Sequence, residues 1–278
     1  MLRIVWTLLL PACFLATSYS FAQGRSDIAE DLLRKCGLWE QLSSVEPQVQ
    51  AGFSQAMSVA QPGPSAAEAE RLARVIKSSY AASRLRATAS QVIAEGLAEQ
   101  HVADLVRWYA SPVGVAITKA EEQFSASQGE PREVAASGAA MLERSTGQRR
   151  ELIDAIMRET KAVDAAVEMT LSVALAVQRG ISAAMPSASN MTGADITAAL
   201  ESQRPRLVDA YSKLTAASFA LTYKSVSDAD LERYVAFIKS PAGQHFSALA
   251  MRALDAALSK ATEELGRNLP STRDRTSA

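Results

Sequence analysis

His101, His245 and Cys36 are the side chains best suited to hold a metal or attack a substrate once the first residues are set aside. Neither histidine has a second histidine, a cysteine or an H-E-x-x-H partner at ligand spacing, so no metal site is read and both pass for surface side chains. No G-x-S-x-G elbow, phosphate-cradling glycine loop or dinucleotide fingerprint occurs, and no cofactor is expected. Glu121-Glu122 and Glu263-Glu264 are adjacent acids. Neighbours on a helix do not face each other, so they make poor acid–base couples and read as solvated faces. The remaining candidates are Ser111 and Ser240, each between an aromatic helix and a proline, where a hydroxyl and free amides could face a ligand.

Those serines belong to a phrase that occurs twice, W-Y-A-S-P-V-G from Trp108 to Gly114 and F-I-K-S-P-A-G from Phe237 to Gly243. Val102, Leu105, Val106 and Tyr109 fall at i, i+3, i+4 and i+7, as do Leu231, Tyr234, Val235 and Ile238, so each phrase closes a short amphipathic helix. Proline forbids the α region to the residue before it, which ends the helix near Ala110 or Lys239. Pro112 and Pro241 then suit the first position of a new helix, with Ser111 and Ser240 as N-caps. Gly114 and Gly243, poor helix formers, give room for a close approach. The phrase reads as a helix–corner–helix with an aromatic wedge. A ligand cleft at the corner is the sharper alternative.

The similarity extends upstream. Gln50-Ala-Gly52-Phe-Ser-Gln-Ala-Met57 returns as Gln178-Arg-Gly180-Ile-Ser-Ala-Ala-Met185, at an offset one residue different from that of the Ser-Pro phrase. Almost every other segment also reads as helix, with few turn signals. The expected fold is all-α, two tandem repeats of a helical-bundle unit, each ending in a Ser-Pro corner. Residues 23–128 form the first unit, 129–148 a connecting segment with a helix around Arg132 to Arg144, 149–267 the second unit, and 268–278 a polar disordered tail. One long helix is predicted from about Ser65 to Ala94, opened by a Ser65–Glu68 capping box. Its Arg71, Arg74, Lys77, Arg84 and Arg86 read as a charge-laced exposed face. Met169 to Val177 reads as a helix buried in the second unit's core.

Residues 1–22 have the layout of a secretory signal peptide: Arg3, an apolar run from Ile4 to Ala16, then Ser20-Phe21-Ala22 before a predicted cleavage at Gln23. The apolar run is shorter than a membrane span, and no span is expected after cleavage. The chain carries 29 basic and 30 acidic side chains, and cleavage removes only Arg3 from that balance. The charge is too small to attract nucleic acid. Cys36 is then the sole thiol. It shares a helical face with Ile28, Leu32 and Leu33, and reads as a packing residue.

The export signal, L-L-R-K-C-G-L-W-E-Q-L from Leu32 to Leu42, the Gln-x-Gly helix and the terminal aromatic-x-x-Ser-Pro-x-Gly corner resemble an exported, all-helical bacterial domain family of unknown function. The resemblance covers residues 27–124, with a diverged copy at 150–262. It implies a fold and a periplasmic or secreted location, and brings no activity. For function, the leading reading is a non-enzymatic binding or envelope-interaction module, whose unknown partner is an envelope protein or a small apolar ligand. A second is carriage of a small apolar ligand, such as a lipid or acyl chain, in a groove beside Trp108, Tyr109 and Met57. A hydrolase using Ser111 or Ser240 is the third.

Overall fold

The computed structural model describes residues 16–59, 65–127, 130–184 and 193–268. Most of the predicted signal segment, Met185, the proline-containing loops and the polar tail from Leu269 lie outside these residues. Every described element is a helix. In chain order they are α1 (Ala16–Lys35), α2 (Leu38–Ser43), α3 (Val45–Val59), α4 (Ala66–Ser79), α5 (Ala82–Gly96), α6 (Glu99–Ala110) and α7 (Pro112–Ala126). There follow α8 (Pro131–Arg144), α9 (Gly147–Glu159), α10 (Ala162–Ala184), α11 (Gly193–Glu201), α12 (Arg204–Thr222), α13 (Asp228–Ile238) and α14 (Pro241–Asn268). Among the described residues, no helix is long and apolar enough to cross a membrane.

Local chemistry explains most boundaries. The Ser65 hydroxyl accepts from Glu68 N, and the Glu68 carboxylate accepts from Ser65 N at 3.1 Å, a complete capping box. Thr146 and Ser227 cap α9 and α13 through Arg149 N and Asp230 N. Gly37 takes φ 76°, the left-handed turn that lets α1 stop and α2 begin.

The single helix expected from Ser65 to Ala94 is instead two, broken at Tyr80 and Ala81. The break carries Tyr80 into the core, fully buried, where its hydroxyl lies 2.9 Å from the Thr262 hydroxyl of α14. Burial of a large ring outweighs helix propensity, which is only a few tenths of a kcal/mol per residue. The expected charge-laced face therefore divides: Arg74 lies near Glu70 on α4, whereas Arg84 pairs with Glu264 at 2.7 Å and Arg86 stacks on Trp39.

The larger core draws on both halves of the chain. Leu32, Leu33, Leu42, Val45, Ile76, Leu85, Ile93 and Leu105 share it with Met169 and Ala176 of α10 and with Leu249, Ala253, Leu254, Leu258 and Leu265 of α14. The Met169–Val177 stretch thus contributes to a core built mainly from the first half, not to one belonging to the second. In return, Ile117 and Ala120 of α7 join Ile156, Tyr223, Leu231 and Ile238 in a smaller core among α9, α12 and α13. The leucines of α14 are 0–1% exposed. Each adds about 1.5–3 kcal/mol by burial.

Close crossings occur where small residues allow them. A Cβ at Gly52 of α3 would stand 2.9 Å from Val177 of α10, and one at Gly138 of α8 would stand 2.2 Å from Ala217 O of α12.

Candidate functional site

Helix α6 ends at Ala110 and α7 starts at Pro112. Between them Ser111 is extended, its hydroxyl accepting from Gly114 N at 3.0 Å and donating to Trp108 O at 2.6 Å. Helix α13 ends at Ile238 and α14 starts at Pro241, with the Ser240 hydroxyl accepting from Gly243 N at 3.1 Å. A Cβ at Gly114 would lie 2.1 Å from Trp108 O, and one at Gly243 2.3 Å from Phe237 O. Only glycine permits the helix to fold back this tightly over the aromatic turn. Both hydroxyls cap their own helix starts.

These turns bring the two aromatic wedges together. Trp108 stacks on Phe237 and on Tyr234, with centroids 4.3 and 5.8 Å away and planes within 6° and 9° of parallel. Tyr109 meets Phe237 and Phe246 edge-on, and Tyr223 meets Phe219 and Tyr234 in the same way. Beside this cluster lies a cavity of about 360 Å³. Aromatic rings from α6, α7, α12, α13 and α14 line it, and small residues such as Ala162, Ala165, Ala166, Ser218, Ser247 and Ala250 leave space.

The chemistry of the cavity centres on Glu121 of α7. Its Oε1 accepts from Tyr223 Oη at 2.7 Å and more weakly from Tyr234 Oη at 3.4 Å. Burial pushes its pKa up to about 7; the two phenol donors oppose that rise, and the charge of Glu122 adds to it. No lysine, arginine or histidine is among the described residues that line the cavity. Desolvation also lifts Tyr109, Tyr223 and Tyr234 well above the usual phenol value, so all three remain protonated. Cys36 lines the same cavity, and burial raises its thiol to about 11. It is a thiol, not a thiolate, at neutral pH, and hence a poor nucleophile.

Supporting contacts fix the phenols. Arg149 of α9 donates to Val226 O at 2.8 Å, to Tyr223 O and to Asp228 Oδ1 at 2.6 Å, clamping the α12–α13 turn that carries Tyr223. At the other rim Thr160 donates to Ile156 O at 2.7 Å, and Lys161 takes φ 57° to start α10.

Of the residues singled out in the sequence, Trp108, Tyr109, Phe237, Ile238 and Gly243 line the cavity. Ser111, Pro112, Gly114, Ser240 and Pro241 shape the turns that hold them. Gln50, Gly52, Met57, Gln178 and Gly180 lie on the paired helices α3 and α10. There Gln50 donates to Glu46, and Gly180 faces Phe53 and Leu72. The groove expected beside Trp108, Tyr109 and Met57 is corrected accordingly: Met57 packs on the larger core and is absent from the cavity wall.

Glu121 overturns the reading of both Glu121 and Glu122 as a solvated face; only Glu122 is exposed. The missed signal is its position four after Ile117 and three before Phe124, on the apolar stripe of α7. Tyr223 and Phe219 were missed as well; they are four apart at the end of α12, a spacing that marks a shared face.

Two other features lie outside the cavity. The rings of His101 and His245 are 5.1 Å apart, a proximity invisible to spacing in the chain, and His245 Nε2 lies 3.0 Å from Gly96 O. No group of three or more potential ligands forms a metal site among the described residues. A wider depression of about 880 Å³ lies beside α1 and α5. Its guanidinium groups are occupied: Arg25 binds Ala94 O and Leu97 O, and Arg86 binds Trp39 O.

Fold and site together define an all-helical protein with an aromatic cavity holding one acidic side chain. Residues 83–136, which include the Trp108–Gly114 turn and Glu121, match a family described as an uncharacterized protein conserved in bacteria (DUF2059). No curated protein matches the chain, and no solved structure does.

Proposed function

We propose that the protein is a non-enzymatic binding module that holds a small, mostly apolar ligand in the cavity between its two aromatic turns. The cavity carries this reading: about 360 Å³, aromatic walls and few polar groups are the features of small-molecule sites. A hydrolase is disfavoured because the Ser111 hydroxyl is spent on its own turn and Cys36 retains its proton. The signal-like start supports export to the periplasm or beyond. The duplicated phrases support two tandem copies of one unit, whose aromatic turns now face a common space.

A neutral naphthalene-type fluorophore titrated into the purified protein tests the reading. Saturable one-to-one binding is expected, and Ala250→Phe, which fills the cavity, should abolish it. Binding that ignores Ala250→Phe would place the ligand elsewhere. Native mass spectrometry of protein recovered from its own cell envelope should show a small adduct on a chain starting at Gln23; a protein partner in its place would favour docking between proteins.

A further inference from the structure

We infer that the ligand is an organic cation: an ammonium group, primary to quaternary, on an apolar body. The inference rests on the cavity being the ligand site proposed above, and adds the chemistry of what fills it.

Other partly buried acids that reach across the fold have a basic partner. Glu264 pairs with Arg84 at 2.7 Å and Glu168 with Arg204 at 2.8 Å. Glu121 differs, since its hydrogen-bond partners are two phenols and, among the described residues, no basic side chain lines the cavity. A lone carboxylate in an apolar enclosure is costly unless a cation joins it. A carboxylate or phosphate ligand would meet like charge there with nothing to balance it. A plain hydrocarbon would leave the acid as isolated as before. An ammonium group satisfies it.

The walls favour the same chemistry. Trp108, Tyr109, Phe219, Tyr223, Tyr234 and Phe237 line the cavity that holds the acid. Aromatic faces attract cations through the ring quadrupole, by about 0.5–2 kcal/mol according to desolvation. An aromatic enclosure with one carboxylate offers both attractions to a single soft cation and leaves room for its apolar body.

Benzyltrimethylammonium is the probe of choice because its charge does not titrate. Its affinity for the full chain, measured by calorimetry, should rise up to tenfold per pH unit from about pH 5 towards 7 and level off above, as Glu121 ionises. The other titratable groups facing Glu121 are Cys36 near the start of α2, Tyr109 on α6, Tyr223 after α12 and Tyr234 on α13. All keep their protons over this range. Glu122, next to it on α7, is exposed. Neopentylbenzene, the neutral carbon isostere, should bind at least tenfold more weakly at pH 8, and phenylacetate more weakly still. Glu121→Gln should flatten the pH profile and cost the cation at least tenfold.

If the isostere binds as tightly as the cation with no pH dependence in the unaltered protein, the inference fails while the cavity stands as the ligand site. Should none of the three probes bind, and the fluorophore also fail, both readings fall. The profile of the unaltered chain decides the matter even if Glu121→Gln folds poorly.

Discussion

Trp108 and Phe237 lie in different halves of the chain, yet their rings stack 4.3 Å apart and 6° from parallel. One wedge therefore supports the other, and the cavity wall exists only when both turns are in place. A double-mutant cycle with Trp108→Leu and Phe237→Leu, read by urea unfolding, should give a coupling of about 0.5–1.5 kcal/mol beyond lost burial. Strict additivity would mean the stack contributes nothing of its own.

Glu121 should give the protein an unusual stability profile. Its carboxyl ionises at about 7 when folded and near the ordinary 4.5 when unfolded, so between these values the folded state binds more protons. The contribution of the neutral carboxyl is present below about pH 4.5 and lost as pH rises to about 7, on the order of 3 kcal/mol in all. Denaturation midpoints across pH 4–8 should fall with this shape. Glu121→Gln should remove that slope and leave the variant more stable than the parent at pH 8.

The corner glycines should be intolerant of a single methyl group. Gly114→Ala and Gly243→Ala set a Cβ against backbone carbonyls that cannot swing aside, and each should cost about 1–3 kcal/mol or more. Gly266→Ala is the control: nothing lies within 4 Å, and it should stabilise α14 by about 0.5–1 kcal/mol. Urea midpoints of the three variants make the comparison.

Ser111→Ala and Ser240→Ala remove N-caps, worth about 1 kcal/mol each. Both variants should keep full affinity for a cavity probe, and the unaltered protein should resist fluorophosphonate labelling. Labelling at either serine would overturn the structural role given to them.

Much of the helical pattern was legible in local chemistry. The Ser65–Glu68 box, the Ser227 cap and the positions of Pro112 and Pro241 all act within four residues, and sequence displays such interactions directly. The break at Tyr80 was not legible, because its cause is a ring finding Thr262 almost at the other end of the chain. Glu121 escaped for a related reason. Its stripe position was visible, but the phenols that make the stripe polar come from the end of α12 and from α13. Spacing within a helix tells which residues share a face, not which distant face will meet it. The His101–His245 approach is another case.

The exchange of helices between halves also sets an order of assembly. Leu85, Ala89 and Ile93 of α5 share their core with Leu249, Ala253 and Leu254 of α14, which is translated well after them. Until that helix arrives, the α5 face of a growing chain lacks the side chains that cover it in the finished core. Contacts between residues so far apart in the chain require closing long loops before any burial rewards them, which slows folding. Completion of the larger core is thereby tied to a segment made long after α5, so a chain cut short before α14 lacks the leucines that seal it.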